Sequence, residues 1–380
     1  MRFLARDWET SDWIQIEVEG DQIQGVRPGE GPASVGTEDP FVAPAFWDIQ
    51  TNGRWGHSFS SPDLTVEQVV SIVRAQRALG TARLCPTLIT APVESTLHGL
   101  RTIAKAREAH PDVDRMVVGV HLEGPFLSDR PGYRGAHPAE AMRDPDWKLF
   151  ETFQEASGGR VVLMTLAPER AGSIEFIEKA TRAGVVISLG HTAADQPTLH
   201  AAAAAGATLS THLGNGIAAE LHRHPNPIWS QAADDRLTAS LIADGHHLDP
   251  DVLRVLVRSK GLDRIILVSD AGWLAGLPPG TYGEWAVDPS GKIVVAGTPY
   301  LAGSTQGLMT GLRNLDAVEP SFPRSLLNTV TRNPAELLGK PAPRIAPGEP
   351  ANLVILRSPA PGNITLDRVC VDGAWVDPEE

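Results

Sequence analysis

MVVGVHLEG, residues 116–124, is an apolar run of strand length that ends on a polar pair, His121 and Glu123. VVISLGHT (185–192), TLSTHLGN (208–215) and IILVSDAG (265–272) share this form, closing on His191, His212 and Asp270. FVAPAFWDI (41–49), ARLCPTLIT (82–90), VVLMTLAPE (161–169) and TASLIADGHH (238–247) bring the apolar runs to eight, most of them followed by a helix-like stretch. Thr65 and Gln68 make a capping box before VVSIVRAQRAL (69–79), and Gly80 stops that helix. EFIEKATRAG (175–184), TLHAAAAAG (198–206) and DVLRVLVRSKG (251–261) are further helices closed by glycine. Such an alternation over roughly 300 residues predicts an α/β chain folded as a (β/α)8 TIM barrel rather than an open doubly wound sheet.

Outside the barrel the pattern changes. IQIEVEGDQIQGVRPGEG (14–31), PGEPANLVILR (347–357) and ITLDRVCVDGAWV (364–376) alternate apolar and polar residues between glycines and prolines, the mark of short antiparallel strands. Residues 1–42 and 345–380 are therefore expected to build a small β-sandwich domain from both termini, with 43–344 as the catalytic barrel.

The chain has 380 residues and a formal charge of −13, which argues against broad capture of nucleic acid or an anionic membrane. An anionic substrate must then be met by a local cluster of cations. Neither a secretory leader nor ~18 uninterrupted apolar residues is present, and Cys85 and Cys370 are too few to staple the fold, so a cytoplasmic protein is expected.

A TIM barrel gathers its strand ends at one mouth. There the sequence places Asp48 and Gln50, His121 and Glu123, His191, His212, His246 and His247, and Asp270. Any one histidine in such a list reads first as a hydrogen-bonded core residue. Together, Glu123, His191 and His212 form a set that can bind one divalent cation with an open position for water. Asp270 has two readings: a cap for the following helix, or the carboxylate that takes a proton from water and returns it to a leaving amine.

The ordered motifs PAFWDIQTNG, HLEGPFLS, GAHP, TLAPE, GHT, THLGN, IADGHHLD, LVSDA, LAGS, NPAELLG and PGEPANLVIL resemble the N-acetylglucosamine-6-phosphate deacetylases of the amidohydrolase superfamily, over about residues 41–356. The resemblance implies a metal-dependent hydrolase that releases acetate from an amino sugar phosphate and acts as a homodimer. Glu123, His191 and His212 match the metal ligands, Asp270 the general base and acid, and His137 the residue that polarises the substrate carbonyl. Ala136, Asn215, Gly216, His247, Leu301, Ala302 and Gly303 match substrate-binding positions. Arg223, in LHRHP, matches an arginine that reaches the phosphate, in several relatives from the neighbouring subunit.

Several positions depart from the superfamily pattern. Gln50 and Asn52 stand where many amidohydrolases carry two histidines for a second metal, so one ion is expected, zinc first, with iron, cobalt or manganese as alternatives. Gly216 replaces a customary alanine. Trp55 and Trp273 replace small residues and either narrow the pocket, stack on a sugar or pack beneath loops. Two rival functions remain at this point: hydrolysis of another N-acyl amino sugar or a cyclic amide, and a catalytically silent amino-sugar-binding relative.

Overall fold

The computed structural model describes residues 1–32, 34, 36, 39–298 and 300–379. Eight parallel strands follow the predicted order: Phe46–Thr51, Thr81–Ile89, Val120–Glu123, Val161–Leu166, Val186–Leu189, Leu209–Ser210, Thr238–Leu241 and Ile265–Leu267. The last returns to the first at a seam where Asn52 N–H donates to Ala271 O at 2.8 Å and Asp270 N–H to Gln50 O at 3.0 Å. The helix Val66–Ala75 opens with the expected reciprocal capping between Thr65 and Gln68.

Ile49, Cys85, Leu163, Leu209 and Ile266 of the strands, with Ile242 and Val268 just past two strand ends, form one apolar cluster within the barrel. Thr87, His121, Thr165, Ser188 and Thr211 form a polar layer, in which His121 bonds Thr165 Oγ1 at 2.8 Å and Thr87 Oγ1 at 3.3 Å, and Thr165 bonds Thr211 at 2.7 Å. His121 is thus the satisfied core histidine of the plainer reading, and burial pushes its pKa down to about 4.

The run 41–49 serves two structures. Phe46–Thr51 opens the barrel, whereas Phe41–Pro44 is the middle strand of a seven-stranded sheet. On one side of it lie Arg2–Asp7, Trp13–Glu19 and Gln22–Pro28, on the other Leu353–Arg357, Thr365–Val371 and Ala374–Val376. The terminal sheet therefore reaches Pro44, two residues past the expected boundary. It curls until Ile23 N–H donates to Glu349 O at 2.9 Å, and Ile16, Ile23, Leu353 and Cys370 share one core.

One element was not anticipated. After the eighth strand, Gly280–Tyr282, Trp285–Val287 and Ile293–Val295 form a three-stranded antiparallel sheet before the helix Leu308–Val318. The strands of GTYGEWAVDPSGKIVV are only three residues long, too short for an alternating pattern to register.

Asp48 braces the seam, its Oδ1 accepting from Ser269 N–H at 3.2 Å and Gln50 N–H at 3.3 Å. Burial raises its carboxyl from 3.8 to about 7. The folded chain then holds a proton that the unfolded chain has released, so this group's contribution to stability falls as pH rises from about 4 to 7. Asp48→Asn keeps the Oδ1 acceptor and removes that dependence. In thermal melts the variant's Tm relative to the unsubstituted protein is expected to climb between pH 4 and pH 8; a flat difference would refute this role.

Candidate active site

Glu123 ends the third strand, and its Oε1 lies 2.9 Å from His212 Nε2, 3.1 Å from His191 Nε2 and 4.0 Å from His137 Nε2. All four side chains are buried. The loop after the third strand holds His191 at two points: Ser128 N–H donates to His191 O at 3.0 Å, and His191 Nδ1 donates to Tyr133 O at 2.9 Å. With the Nδ1 hydrogen committed there, His191 Nε2 turns a bare lone pair toward a carboxylate oxygen. His212 adds a second Nε2, and its buried Nδ1 has no hydrogen-bond partner among the described residues.

Such a convergence of lone pairs is repulsive unless a cation or a proton lies between them. The ligand atoms of Glu123, His191 and His212 all fall within 4.8 Å of one another, and a hard-to-intermediate divalent ion suits one carboxylate and two imidazoles. Burial opposes charge on Glu123, yet the His191 and His212 rings beside it hold its carboxyl well below its usual range, which keeps it anionic as a cation ligand must be. The Glu123 charge also raises the His212 pKa against its burial, so a proton and a cation compete for that ring.

Asp270 faces this cluster from the end of the eighth strand. Its Oδ1 accepts from Asn52 Nδ2 at 2.6 Å and from Gln50 Nε2 at 3.1 Å. The two amides at the positions of the superfamily's histidines thus face Asp270 as hydrogen-bond donors. Burial, reinforced by the Glu123 charge, raises the Asp270 carboxyl to about 6, the range of an effective proton acceptor near neutrality. Asp270 N–H itself bonds across the seam.

His137 lies beside His191, ring centroids 4.4 Å apart. Thr90 N–H donates to its Nδ1 at 3.4 Å, which leaves the ring hydrogen on Nε2, and burial, reinforced by the neighbouring imidazoles, pushes its pKa down to about 3. His137 is a neutral donor aimed at the cluster. Gly135 and Gly216 crowd the His191 ring at positive φ; a Cβ at Gly216 would stand 2.8 Å from it. In this backbone the glycine of Asn215–Gly216 is a steric requirement, which accounts for the departure from alanine.

These groups open on a cavity of about 280 Å³ whose lining includes Ala136, Asn215, Gly216, His247, Leu301, Ala302 and Gly303. Trp273 also lines it and packs on Trp285, centroids 5.9 Å apart, while Tyr300 adds a third aromatic side chain. Trp55 stands at the surface, 37 % exposed beneath the Arg54 guanidinium. Arg223 does not reach the cavity within its own chain: it is exposed, outside the lining residues. Among the described residues no lysine or arginine lines the cavity. Sequence reasoning missed Tyr133, which acts through its carbonyl, Trp285, which belongs to the unanticipated sheet, and Tyr300, whose carbonyl accepts from Val295 N–H of that sheet at 2.9 Å.

The family model "Amidohydrolase family" matches residues 41–376. An N-acetylglucosamine-6-phosphate deacetylase of Bos taurus is 38 % identical over 313 residues, 78 % of this chain and 74 % of that protein. An N-acetylgalactosamine-6-phosphate deacetylase of Escherichia coli O157:H7 is 31 % identical over 352 residues, 90 % of each. A solved N-acetyl-D-glucosamine-6-phosphate deacetylase variant of Mycobacterium smegmatis, in complex with N-acetyl-D-glucosamine-6-phosphate, superposes with a TM-score of 0.82 at 33 % identity, covering 96 % of this chain and 94 % of that one.

The cation reading is checked by elemental analysis. Purified protein is expected to carry about one transition-metal ion per chain, and His191→Ala to lose it. Full occupancy in that variant, or two tightly held ions in the unsubstituted protein, would contradict the assignment.

Proposed function

Since the chain belongs to the amidohydrolase family, in the branch of the N-acetylglucosamine-6-phosphate deacetylases, we propose that it hydrolyses N-acetylglucosamine 6-phosphate to glucosamine 6-phosphate and acetate. The observation that carries this reading is the meeting of Asp270, His137 and the Glu123–His191–His212 set at one cavity. The relatives' names supply the substrate class.

Glu123, His191 and His212 would hold the ion, zinc by preference and iron, cobalt or manganese otherwise, which when bound polarises a carbonyl and makes water easier to deprotonate. The amides at positions 50 and 52, turned to Asp270 as donors, favour a single ion per subunit. Asp270 takes a proton from the attacking water while His137 Nε2–H donates to the acetyl oxygen, where negative charge develops. Asp270 then protonates the departing nitrogen. Gln50 and Asn52 keep its Oδ1 oriented through both transfers. A silent binding protein would have no use for this proton shuttle.

The phosphate needs a permanent cation, and the described lining of the chain's own cavity has no lysine or arginine. We assign it to His247, to the Asn215–Gly216 loop and to Arg223 donated from a second copy, so the working unit is a homodimer. In support, Trp229, 48 % exposed on the helix Pro227–Ala232, closely follows the segment that carries Arg223. No helix among the described residues is long and apolar enough to cross a membrane, and two free buried cysteines fit a cytoplasmic setting.

Acetate release from N-acetylglucosamine and N-acetylgalactosamine, each with and without the 6-phosphate, tests the reading. The phosphorylated gluco sugar is expected to lead; preference for the galacto epimer would reassign the sugar. Asp270→Asn should lose about 10³- to 10⁴-fold in kcat while keeping its metal. Arg223→Ala should lose most of the preference for phosphate, and mixing it with Asp270→Asn should restore some turnover, since one site of the hybrid is intact. Equal turnover of phosphorylated and plain sugars would reject the substrate assignment.

A further inference from the structure

The seventh strand ends in ADGHH, and the aspartate of that turn has four hydrogen bonds. Asp244 Oδ1 accepts from the backbone N–H groups of His246 and His247, both at 2.9 Å. Its Oδ2 accepts from His247 Nδ1 at 2.8 Å and from Ser304 Oγ at 2.8 Å. The side chains of Asp244 and His247 are 5 % and 6 % exposed, and Ser304 is buried. Of this group only His247 lines the cavity.

Ser304 continues the connection. It follows Leu301–Gly303, which line the cavity, and its backbone runs alongside the general base: Ser304 N–H donates to Asp270 O at 2.9 Å, and Gly272 N–H donates to Ser304 O at 2.9 Å. One carboxylate oxygen therefore joins the histidine at one wall of the cavity to the loop at another, and through that loop to the backbone of Asp270.

From this geometry we infer that Asp244 is the positioning residue for anion binding: it fixes the His247 ring with its hydrogen on Nδ1 and Nε2 toward the cavity, supports positive charge on that ring when a phosphate arrives, and holds the Leu301–Gly303 loop in the same grip. The inference rests on the phosphorylated-sugar reading for its substrate. An ionised carboxylate whose Oδ2 meets Nδ1 can only accept, so Nδ1 must donate. The bond from His247 holds the Asp244 carboxyl well below the usual carboxylate range in spite of its burial. In a cavity whose described lining has no lysine or arginine, a carboxylate-backed imidazolium is the strongest anion contact the chain itself can offer.

Asp244→Asn reverses the bond. With Oδ1 still taken by two backbone N–H groups, the new amide nitrogen faces His247 Nδ1, which must accept, and the ring is left neutral with its hydrogen on Nε2. Because charge-assisted hydrogen bonds are roughly twice as strong as neutral ones, the ratio of kcat/KM for phosphorylated over plain sugar is expected to fall about tenfold, through KM. If Asp244 acts through His247, adding Asp244→Asn to His247→Gln should lower that ratio no further.

The experiment has a part that needs no Asp244 variant. ¹⁵N spectra of histidine-labelled protein, with the His247 signal assigned by its loss in His247→Gln, should show a hydrogen on Nδ1 in the free protein and on both nitrogens once glucosamine 6-phosphate is added. A hydrogen on Nε2 alone in the free protein, or losses in the two variants that multiply, would overturn the assignment. Failure of the unsubstituted enzyme to distinguish phosphorylated from plain sugar would instead refute the substrate reading, and leaves the tautomer result to stand or fall by itself.

Discussion

Burying an ionised carboxylate at the end of a barrel strand costs several kcal/mol unless positive charge or donors surround it, and at Glu123 the mouth meets that cost with a set of ligand atoms that can hold a cation. Three imidazole Nε2 atoms point at one of its oxygens, from the fifth strand end, the sixth strand end and the loop after the third strand. Each imidazole is then held by something further out. Tyr133 O holds His191, Thr90 N–H holds His137, and the Ser240 hydroxyl takes the backbone N–H of His212 at 2.7 Å. The site is an outward series of obligations that begins with one anion.

The strand ends carry a second cost. His191, His212 and Asp270 all have left-handed backbone, with φ of 49°, 31° and 44°. Such conformations cost of order 1–3 kcal/mol each for a residue with a side chain and persist where surrounding bonds over-determine them. Those bonds are present: Ser128 N–H to His191 O, Ser240 Oγ to the His212 N–H, and the seam bonds on either side of Asp270. At all three the chain bends just where a side chain must face the mouth.

Much of this was readable in the sequence because burial imposes apolar runs and because helix caps and stops have local chemistry. The eight runs, the Thr65–Gln68 box and the polar residues closing the third, fifth, sixth and eighth strands needed no tertiary knowledge. What escaped notice depended on partners far away in the chain. Nothing local divides FVAPAFWDI at Ala45, since both halves are fully buried and the division reflects which neighbour each half pairs with. Tyr133 contributes a carbonyl, which leaves no trace in residue type. Gln50 and Asn52 read as poor metal ligands, and only the fold shows the acceptor they serve 220 and 218 positions away.

The middle position of Phe41–Pro44 bears on how the chain can be made. During synthesis its parallel neighbour, Arg2–Asp7, is available at once, but its other neighbour, Leu353–Arg357, leaves the ribosome some 300 residues later. Until then the nascent chain carries a four-residue buried strand with one open edge, tethered directly to the first barrel strand. Closure of that edge and of the barrel seam are both long-range events of high contact order. Assembly of the catalytic mouth, which needs the seam, is thereby placed among the last steps of folding, and a chain truncated before residue 353 would emerge with an adhesive strand exposed.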